Sequence, residues 1–407
     1  MKKSISLLVL SVLICALGLS ACAAPAGETV PSIPEVTEVP MVTEDTERTQ
    51  IMEILENMTL RQKVAQLFVV RPDALDFTQT QEQIDDAKAQ GVLELTEQMR
   101  TALEEYPVGG VALFGKNIES PEQLLRFTAQ WNTAGQIPLF LAVDEEGGLV
   151  ARLANSDGFD LPKYTSAAET EDAGQMGRTI GAYLRDFGFN MDFAPVADVN
   201  SNPDNPVIGT RAFSDDPQTV RQKAADMAAG LQESGIMPVY KHFPGHGDTA
   251  QDSHQELAIV YKTLEQLQEI EWVPYENQQI PAVMIAHVAV PASGVDSPAS
   301  LSHTVVSQWL RDLLGHEGLV ITDSLSMSAI TNTYSPSEAC ILAVEAGVDI
   351  LLMPAGLAEA LEGLEDAVNS GRISESRINE SVCRILTAKQ AMGLLDDLNW
   401  GCSVRIK

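Results

Sequence analysis

The chain has 407 residues, 45% of them hydrophobic, and a formal net charge of −31 at pH 7. Such an excess of acidic residues excludes a nucleic-acid-binding protein, because contacts to phosphate groups need a basic surface. The length allows two or three domains or one large α/β barrel, and the apolar content is sufficient for a large core.

The N-terminus has a pattern typical of secreted proteins. Two lysines precede an apolar run over residues 5–19, which is too short to span a bilayer. The run closes on the letters LSAC, at residues 19–22, which resemble a bacterial lipobox. This resemblance implies a signal peptide over residues 1–21 and a lipid anchor on Cys22 that would attach the protein outside the cytoplasmic membrane. A plain signal peptide followed by an incidental cysteine is the alternative.

Residues 22–49 are rich in Pro, Thr, Val and Glu and show neither a helical nor a strand period. We predict that they form a flexible acidic linker before one folded domain at residues 50–400. Besides Cys22, the mature chain would keep Cys340, Cys383 and Cys402, which are widely spaced and form no CxxC pair. We therefore expect neither a disulfide framework nor a zinc site.

The folded part begins with a helical pattern at residues 58–68 that leads into an apolar strand at residues 67–70. A long polar stretch follows over residues 72–106, with apolar residues at helical spacing in its second half. We predict an excursion from the main fold that contains one or two helices.

Short apolar runs alternate with amphipathic segments along most of the chain. This alternation predicts a parallel sheet, and its eight runs predict a single (β/α)8 TIM-type barrel. A doubly wound open sheet is the alternative, but no GxGxxG motif or P-loop follows any strand. The predicted strands are residues 67–70, 110–114, 139–143, 191–196, 237–240, 282–286, 319–322 and 350–353, the helices include 122–134, 173–187, 217–234 and 335–346, and two closing helices are predicted within 373–395.

Titratable residues collect where the predicted strands end. One aspartate in this position is more often the N-cap of the next helix. Because the carboxyl ends of parallel strands meet at one face of a barrel, several such residues together predict a shared pocket. The residues that follow five of the strands are Asp144, Asp198, Lys241 with His242, His287, and Asp323.

The most unusual segment is residues 241–254, which reads KHFPGHGDTAQDSH and contains three of the six histidines. Its spacing matches no HExxH motif and no facial triad, although a zinc hydrolase is an alternative reading of so many histidines and aspartates. We expect no metal and no cofactor.

These segments resemble glycoside hydrolase family 3, and in particular its single-domain β-N-acetylglucosaminidases, over residues 58–395. The resemblance implies a TIM-type barrel and retaining hydrolysis of terminal β-linked N-acetylglucosamine through a covalent intermediate. The blocks that carry it are KHFPGHGDTAQDSH at 241–254, VDEEGG at 143–148, DFAPV at 192–196, NPVIGTRAF at 205–213 and ITDSL at 321–325.

The same resemblance implies a role for each site residue. Asp323 matches the nucleophile, and His254 matches the general acid/base, with Asp252 as its partner. For Asp252 and His254, the alternative is a contact that stabilises the loop and has no role in catalysis. For the sugar-binding residues, the alternative is an ion pair at the end of a strand. The residues that match sugar-binding positions are Asp144, Arg152, Arg211, Lys241 and His242.

The chain departs from the usual family pattern at two positions. Leu149 stands where the family often has Arg, and Ser324 stands where it often has a second Asp. Neither position matches the nucleophile or the acid/base, so the departures do not exclude activity, although both could alter the electrostatics of the pocket or the capping of a helix.

We expect an enzyme that acts on glycans, with peptidoglycan fragments as the source, and a monomeric chain that contacts the membrane only through Cys22. Three alternatives remain open. The first is a phosphorylase, because a histidine acid/base leaves the site less negative than a glutamate would. The others are a β-glucosidase of the same family and a non-catalytic sugar-binding lipoprotein, although both Asp323 and His254 are present.

Overall fold

The computed structural model describes residues 44–249, 257–396 and 398. The predicted signal peptide, Cys22 and most of the predicted linker lie outside these residues. The linker prediction is wrong at its C-terminal end, because the helix Glu44–Asn57 begins before residue 50. Ile51, Ile54 and Leu55 on one face of this helix are buried, and the Gln50 side chain donates to the carbonyl of Leu395. The folded part therefore begins earlier than the sequence predicts.

Eight parallel strands form the centre of the fold, and each is hydrogen-bonded to its neighbours in chain order. The last strand pairs with the first, and a parallel bridge between Ile321 and Ile350 joins the two ends of the sheet. The prediction of a TIM-type barrel is thus confirmed as a nearly closed eight-stranded parallel barrel. The strands are β1 Phe68–Val70, β2 Gly110–Leu113, β3 Phe140–Val143, β4 Met191–Asp192, β5 Met237–Phe243, β6 Ala282–Ile285, β7 Leu319–Thr322 and β8 Leu351–Leu352.

Helices surround the barrel, and none of those in the described part of the chain is long and apolar enough to cross a bilayer. The excursion at 72–106 contains two short helices, as predicted. The α-helices after the first are Leu60–Gln66, Gln81–Asp85, Glu97–Glu105, Pro121–Trp131, Ala173–Asp186, Pro217–Glu233, Leu264–Gln266, Ser328–Thr331, Pro336–Ala346, Leu357–Asn369 and Glu375–Ala391, and wider π-helical turns form Leu267–Glu271 and Thr304–Leu313.

The predicted pair of closing helices within residues 373–395 is wrong in its position. That segment contains one helix, Glu375–Ala391, with Ser374 as its N-cap. The other helix is the one before this segment, Leu357–Asn369, whose Leu357, Leu361 and Leu364 are buried. Gly371 separates the two helices with a φ of +80°, a left-handed conformation that favours glycine.

Local sequence signals explain how several helices begin. Thr59 accepts a hydrogen bond from the backbone of Gln62, whose side chain bonds back to the Thr59 backbone. This capping box satisfies donors at the N-terminus of Leu60–Gln66 and fixes where that helix begins. Two short pairs of strands lie outside the barrel, an antiparallel hairpin of Glu145–Gly147 with Val150–Ala151 and a parallel pair of Ala258–Ile259 with Val288–Ala289.

Candidate active site

Side chains from the strand ends surround a cavity of about 310 Å³ at the carboxyl-terminal face of the barrel. Asp144 follows β3, Lys241 and His242 lie in the last part of β5, and Asp323 follows β7. Arg211 reaches the cavity from the turn Gly209–Arg211, after β4. The structure brings together six of the predicted site residues around this cavity: Asp144, Arg152, Arg211, Lys241, His242 and Asp323.

Asp144 is held between two cationic side chains. Its Oδ1 lies 2.5 Å from Nζ of Lys241, and its Oδ2 accepts a hydrogen bond of 3.0 Å from Nη2 of Arg152. Burial opposes ionisation of Asp144, but the positive charges of Lys241 and Arg152 outweigh it and hold the pKa of this carboxyl well below its ordinary value. An ionised carboxylate beside Lys and Arg donors is suited to binding neighbouring hydroxyl groups.

Glu146 lies behind this group and is not among the site residues predicted from the sequence. Its two oxygens accept hydrogen bonds of 2.8 and 2.7 Å from Nε and Nη2 of Arg211, and Oε1 also lies 2.5 Å from Nζ of Lys241. Burial opposes its ionisation, yet Arg211 and Lys241 together lower the pKa of Glu146. Glu146 lies two positions after Asp144 in the VDEEGG block, and that position was the available signal for its role.

The imidazole of His242 is oriented by Asp198. Nδ1 of His242 lies 2.6 Å from Oδ2 of Asp198, and the backbone N–H groups of His242 and His246 also donate to this carboxylate. Although burial opposes ionisation, the two histidines lower the pKa of Asp198, so that it is an acceptor at neutral pH. Nδ1 of His242 therefore donates to Asp198, which leaves Nε2 available for a ligand.

Asp323 lies at the end of β7 and lines the cavity. Its Oδ1 accepts a hydrogen bond of 2.7 Å from the backbone N–H of Ser324. Next to it, Nε2 of His287 lies 2.9 Å from the carbonyl of Ser324, and Nδ1 lies 2.7 Å from Oγ of Ser300. Burial lowers the pKa of His287, so this histidine is neutral and holds the backbone beside Asp323.

His246 is buried within the loop that follows β5. Oγ1 of Thr249 lies 2.9 Å from its Nδ1, and Asn205 donates to its carbonyl. Burial, followed by the charge of His242, lowers the pKa of His246 to about 4. The predicted dyad of Asp252 and His254 lies outside the described residues, so the assignment of the acid/base stays a prediction.

The two departures from the family pattern occupy different environments. Leu149 lies at the turn of the hairpin, is 75% exposed and is not part of the cavity lining. Ser324 lines the cavity, and its Oγ lies 3.1 Å from Oγ of Ser326. The cavity therefore has a neutral hydroxyl beside Asp323.

Several cavity residues have no counterpart in the sequence prediction. Arg71 and Phe114 follow β1 and β2, and Ala87 comes from the excursion at 72–106. Phe114 and Ala87 are apolar and gave no signal of a site, because such residues are more common in a core. Arg71 is a charged residue after an apolar run, as the predicted site residues are, and it was missed. Within the described part of the chain, no group of three or more His, Cys, Asp or Glu residues is placed to hold a metal ion.

Comparison with known protein families gives a match over most of the chain. Residues 59–388 match the model described as the glycosyl hydrolase family 3 N terminal domain. A relative named Beta-hexosaminidase A, from Pseudoalteromonas piscicida, is 31% identical over 72% of this chain and 55% of the relative. Another, Beta-hexosaminidase LpqI from Mycobacterium tuberculosis, is 39% identical over 63% of this chain and 69% of the relative. The chain thus spans little more than half the length of the first relative.

Solved structures have a similar fold. A glycoside hydrolase family 3 β-N-acetylglucosaminidase from Paenibacillus sp. str. FPU-7 is 35% identical, with a TM-score of 0.74 over 86% of this chain and 65% of that chain. A β-N-acetylhexosaminidase from Beutenbergia cavernae is 27% identical, with a TM-score of 0.71 over 82% of this chain and 99% of that chain.

Proposed function

This chain belongs to glycosyl hydrolase family 3, and we propose that it is a retaining exo-β-N-acetylglucosaminidase. It removes terminal, non-reducing, β-linked N-acetylglucosamine. The observation that carries this proposal is the convergence of Asp144, Lys241, His242 and Asp323 on one cavity. The cavity volume of about 310 Å³ is at the lower end of the range for small-molecule sites, which suits one terminal sugar.

In the first proposed step, a carboxylate oxygen of Asp323 attacks the anomeric carbon, and the bond from that carbon to the aglycone oxygen breaks. Protonated His254, oriented by Asp252, gives its proton to the departing oxygen. In the second step a water molecule attacks the anomeric carbon, neutral His254 takes the proton from the water, and the bond to Asp323 breaks. Two inversions give retention of configuration.

The fixed charges around the cavity support the binding part of this mechanism. Lys241 is shared by Asp144 and Glu146 at 2.5 Å from each. Burial opposes protonation, but these two carboxylates raise the pKa of Lys241, which therefore stays cationic. Groups that are already oriented by one another bind a sugar with little loss of side-chain freedom.

The stereochemistry of the released sugar tests the proposal. Proton NMR should show the β-anomer of N-acetylglucosamine first during hydrolysis of an aryl β-N-acetylglucosaminide. Initial release of the α-anomer would contradict the covalent intermediate. With inorganic phosphate added, the product should still be free N-acetylglucosamine. Formation of the sugar 1-phosphate would instead assign the enzyme to the phosphorylases.

We also propose that the enzyme is monomeric and acts outside the cytoplasmic membrane on peptidoglycan fragments. It would be attached through Cys22 after removal of residues 1–21. The support is the lysine-rich start, the apolar run at residues 5–19 and the LSAC sequence. Labelling of cells with a palmitate analogue should mark the wild type and not Cys22→Ser. Equal labelling of both proteins would refute the anchor and leave the proposed activity untouched.

A further inference from the structure

The excursion at residues 72–106 is firmly attached to the barrel. Asp73 is fully buried and accepts hydrogen bonds from Nδ2 of Asn117 at 2.8 Å and from the backbone of Val92 at 3.1 Å. Nζ of Lys116 donates to the carbonyls of Gln83 and Ile84 at 2.9 and 3.0 Å. These contacts join the start of the excursion and its helix Gln81–Asp85 to the turn after β2. The excursion is therefore a fixed wall of the cavity, which it lines through Ala87.

Arg71 lies where the excursion leaves β1, and its guanidinium is held on one side. Nη1 donates to the carbonyl of Ile84 at 2.9 Å and to Oδ1 of Asp85 at 2.7 Å. The guanidinium carbon lies 4.8 Å from the centre of the Phe114 ring. The side chain is 15% exposed and lines the cavity. Arg71 thus presents a positioned cation to whatever occupies the cavity.

The other side of this guanidinium has no hydrogen-bond partner among the residues that the structure describes. Nε of Arg71 is buried without a hydrogen-bond partner, and among the described residues no acceptor bonds to Nη2. A guanidinium carries five N–H donors in a fork that matches a carboxylate or a phosphate. Because a buried donor without an acceptor is costly, a free edge beside a cavity points to a ligand group that completes it.

The remaining cations of the cavity are already neutralised within its wall. Arg152 and Lys241 bond to Asp144, and Arg211 bonds to Glu146 through two nitrogens. Arg71 differs, because its carboxylate partner Asp85 lies on the excursion, is 34% exposed and is not part of the cavity lining. Arg71 is therefore paired with a carboxylate that lies outside the cavity lining, unlike Arg152 and Lys241, which share Asp144.

We propose that Arg71 is a specificity-determining residue that binds an oxyanion, a carboxylate or a phosphate, next to the terminal sugar. This inference rests on the proposed function, since that function places the N-acetylglucosaminyl group in the cavity. The cavity suits one sugar, so the oxyanion belongs either to the aglycone or to a free anion from solution.

The aglycone source is tested with one disaccharide in two forms. The substrates are N-acetylglucosaminyl-β-1,4-N-acetylmuramic acid, which carries a carboxylate, and its methyl ester. The wild type should have a kcat/KM about tenfold or more higher for the acid, the effect of one charge-assisted hydrogen bond. Arg71→Gln should bring the ratio of acid to ester close to one. Circular dichroism confirms that the variant is folded.

Asp85→Asn is the matched control, because it removes the partner of Arg71 on the excursion and leaves the free edge unchanged. It should keep the wild-type ratio of acid to ester. A ratio that falls in Asp85→Asn as far as in Arg71→Gln would show that Arg71 acts only by supporting the excursion, and would overturn the proposal.

The solution source is tested with inorganic phosphate and a neutral aryl β-N-acetylglucosaminide. In one outcome, phosphate is a competitive inhibitor of the wild type and not of Arg71→Gln, while the wild type shows a ratio of acid to ester near one. This result would assign the site to a free anion. A ratio near one in the wild type together with no such inhibition would overturn the proposal. Failure of the wild type to hydrolyse the disaccharides and the aryl glycoside alike would instead refute the proposed function.

Discussion

Glu146 accepts hydrogen bonds from two nitrogens of Arg211, at 2.8 and 2.7 Å, although the two residues lie 65 positions apart in the chain. The pair joins the hairpin after β3 to the turn after β4. Oε1 of Glu146 also contacts Lys241, so that one buried carboxylate fixes two of the predicted sugar-binding cations. We infer that Glu146 is a positioning residue for the cavity.

Replacement of Glu146 by Gln should weaken both substrate turnover and stability. The amide has one acceptor oxygen where the carboxylate has two, and its NH2 group would face the donors of Arg211 or Lys241. We expect kcat/KM for an aryl β-N-acetylglucosaminide to fall by about 100-fold, because a misplacement of about 1 Å costs that much. The free energy of unfolding, measured with urea, should fall by on the order of 3 kcal/mol for a broken buried pair.

Glu338→Gln provides the matched control for this substitution. Glu338 also accepts two hydrogen bonds from one arginine, Arg372, at 2.9 and 3.0 Å, but both side chains are about 40% exposed. Exposed pairs contribute little, about 0–1 kcal/mol. If Glu338→Gln lowered stability as much as Glu146→Gln, burial would not be the reason for the effect.

The strands of the barrel could be predicted from the sequence because their side chains are buried on both faces. The run at 237–240 shows the limit of this signal. The strand continues to Phe243, since the polar side chains of Lys241 and His242 are compensated by pairing with Asp144 and Asp198. A hydrophobic pattern cannot reveal such compensation, because the carboxylates come from other strands.

The site could be predicted only in part, for a similar reason. Residues such as Asp323 carry a local signal, a polar side chain after an apolar run. Arg71 shares this signal, and Glu146 lies two positions after Asp144, but neither role could be predicted, since both depend on partners far away in the sequence. Arg211 lies 65 positions from Glu146, and the Phe114 ring that covers Arg71 comes from the next strand. Resemblance to a family indicates which residues matter, whereas contacts of this kind require the structure.

Asp198→Asn should disturb His242 without unfolding the protein. Asp198 accepts from Nδ1 and N–H of His242 and from N–H of His246, and an amide NH2 cannot replace both oxygens. We expect kcat/KM to fall by roughly tenfold or more, the effect of one hydrogen bond to a charged group. Asp216→Asn is the control, because Asp216 is an exposed N-cap that Asn also satisfies. Wild-type kinetics in Asp198→Asn would show that His242 needs no orientation.

Lys389 should make stability depend on pH in the alkaline range. Its ammonium nitrogen is fully buried, 2.9 Å from Oε1 of Gln66 and from the carbonyl of Gly109, and no carboxylate of the described part of the chain bonds to it. Burial lowers the pKa of Lys389 from 10.5 to about 7. The unfolded chain thus binds one more proton between these values, so the stability from this group is complete above 10.5 and is lost as the pH falls to about 7.

Urea unfolding of the wild type and Lys389→Met between pH 7 and 10 tests this expectation. The wild type should gain up to about 1.4 kcal/mol per pH unit relative to the variant. Parallel curves for the two proteins would show that Lys389 titrates normally in the folded state. Because only the slopes are compared, any constant cost of leaving Gln66 and Gly109 without a donor does not affect the result.

Asp323→Ala and His254→Ala should separate the two proposed catalytic roles. Asp323→Ala removes the nucleophile, so kcat should fall by several orders of magnitude for every N-acetylglucosaminide. His254→Ala removes a proton donor, which matters only when the departing oxygen is basic. The His254→Ala variant should therefore lose hydrolysis of the phenyl glycoside. The leaving group of the dinitrophenyl glycoside needs no proton, so this substrate should still form the covalent intermediate at a rate close to that of the wild type. The burst of dinitrophenol in a stopped-flow experiment measures that rate. Equal losses for both glycosides would exclude His254 as the acid, and wild-type turnover by Asp323→Ala would exclude the covalent mechanism.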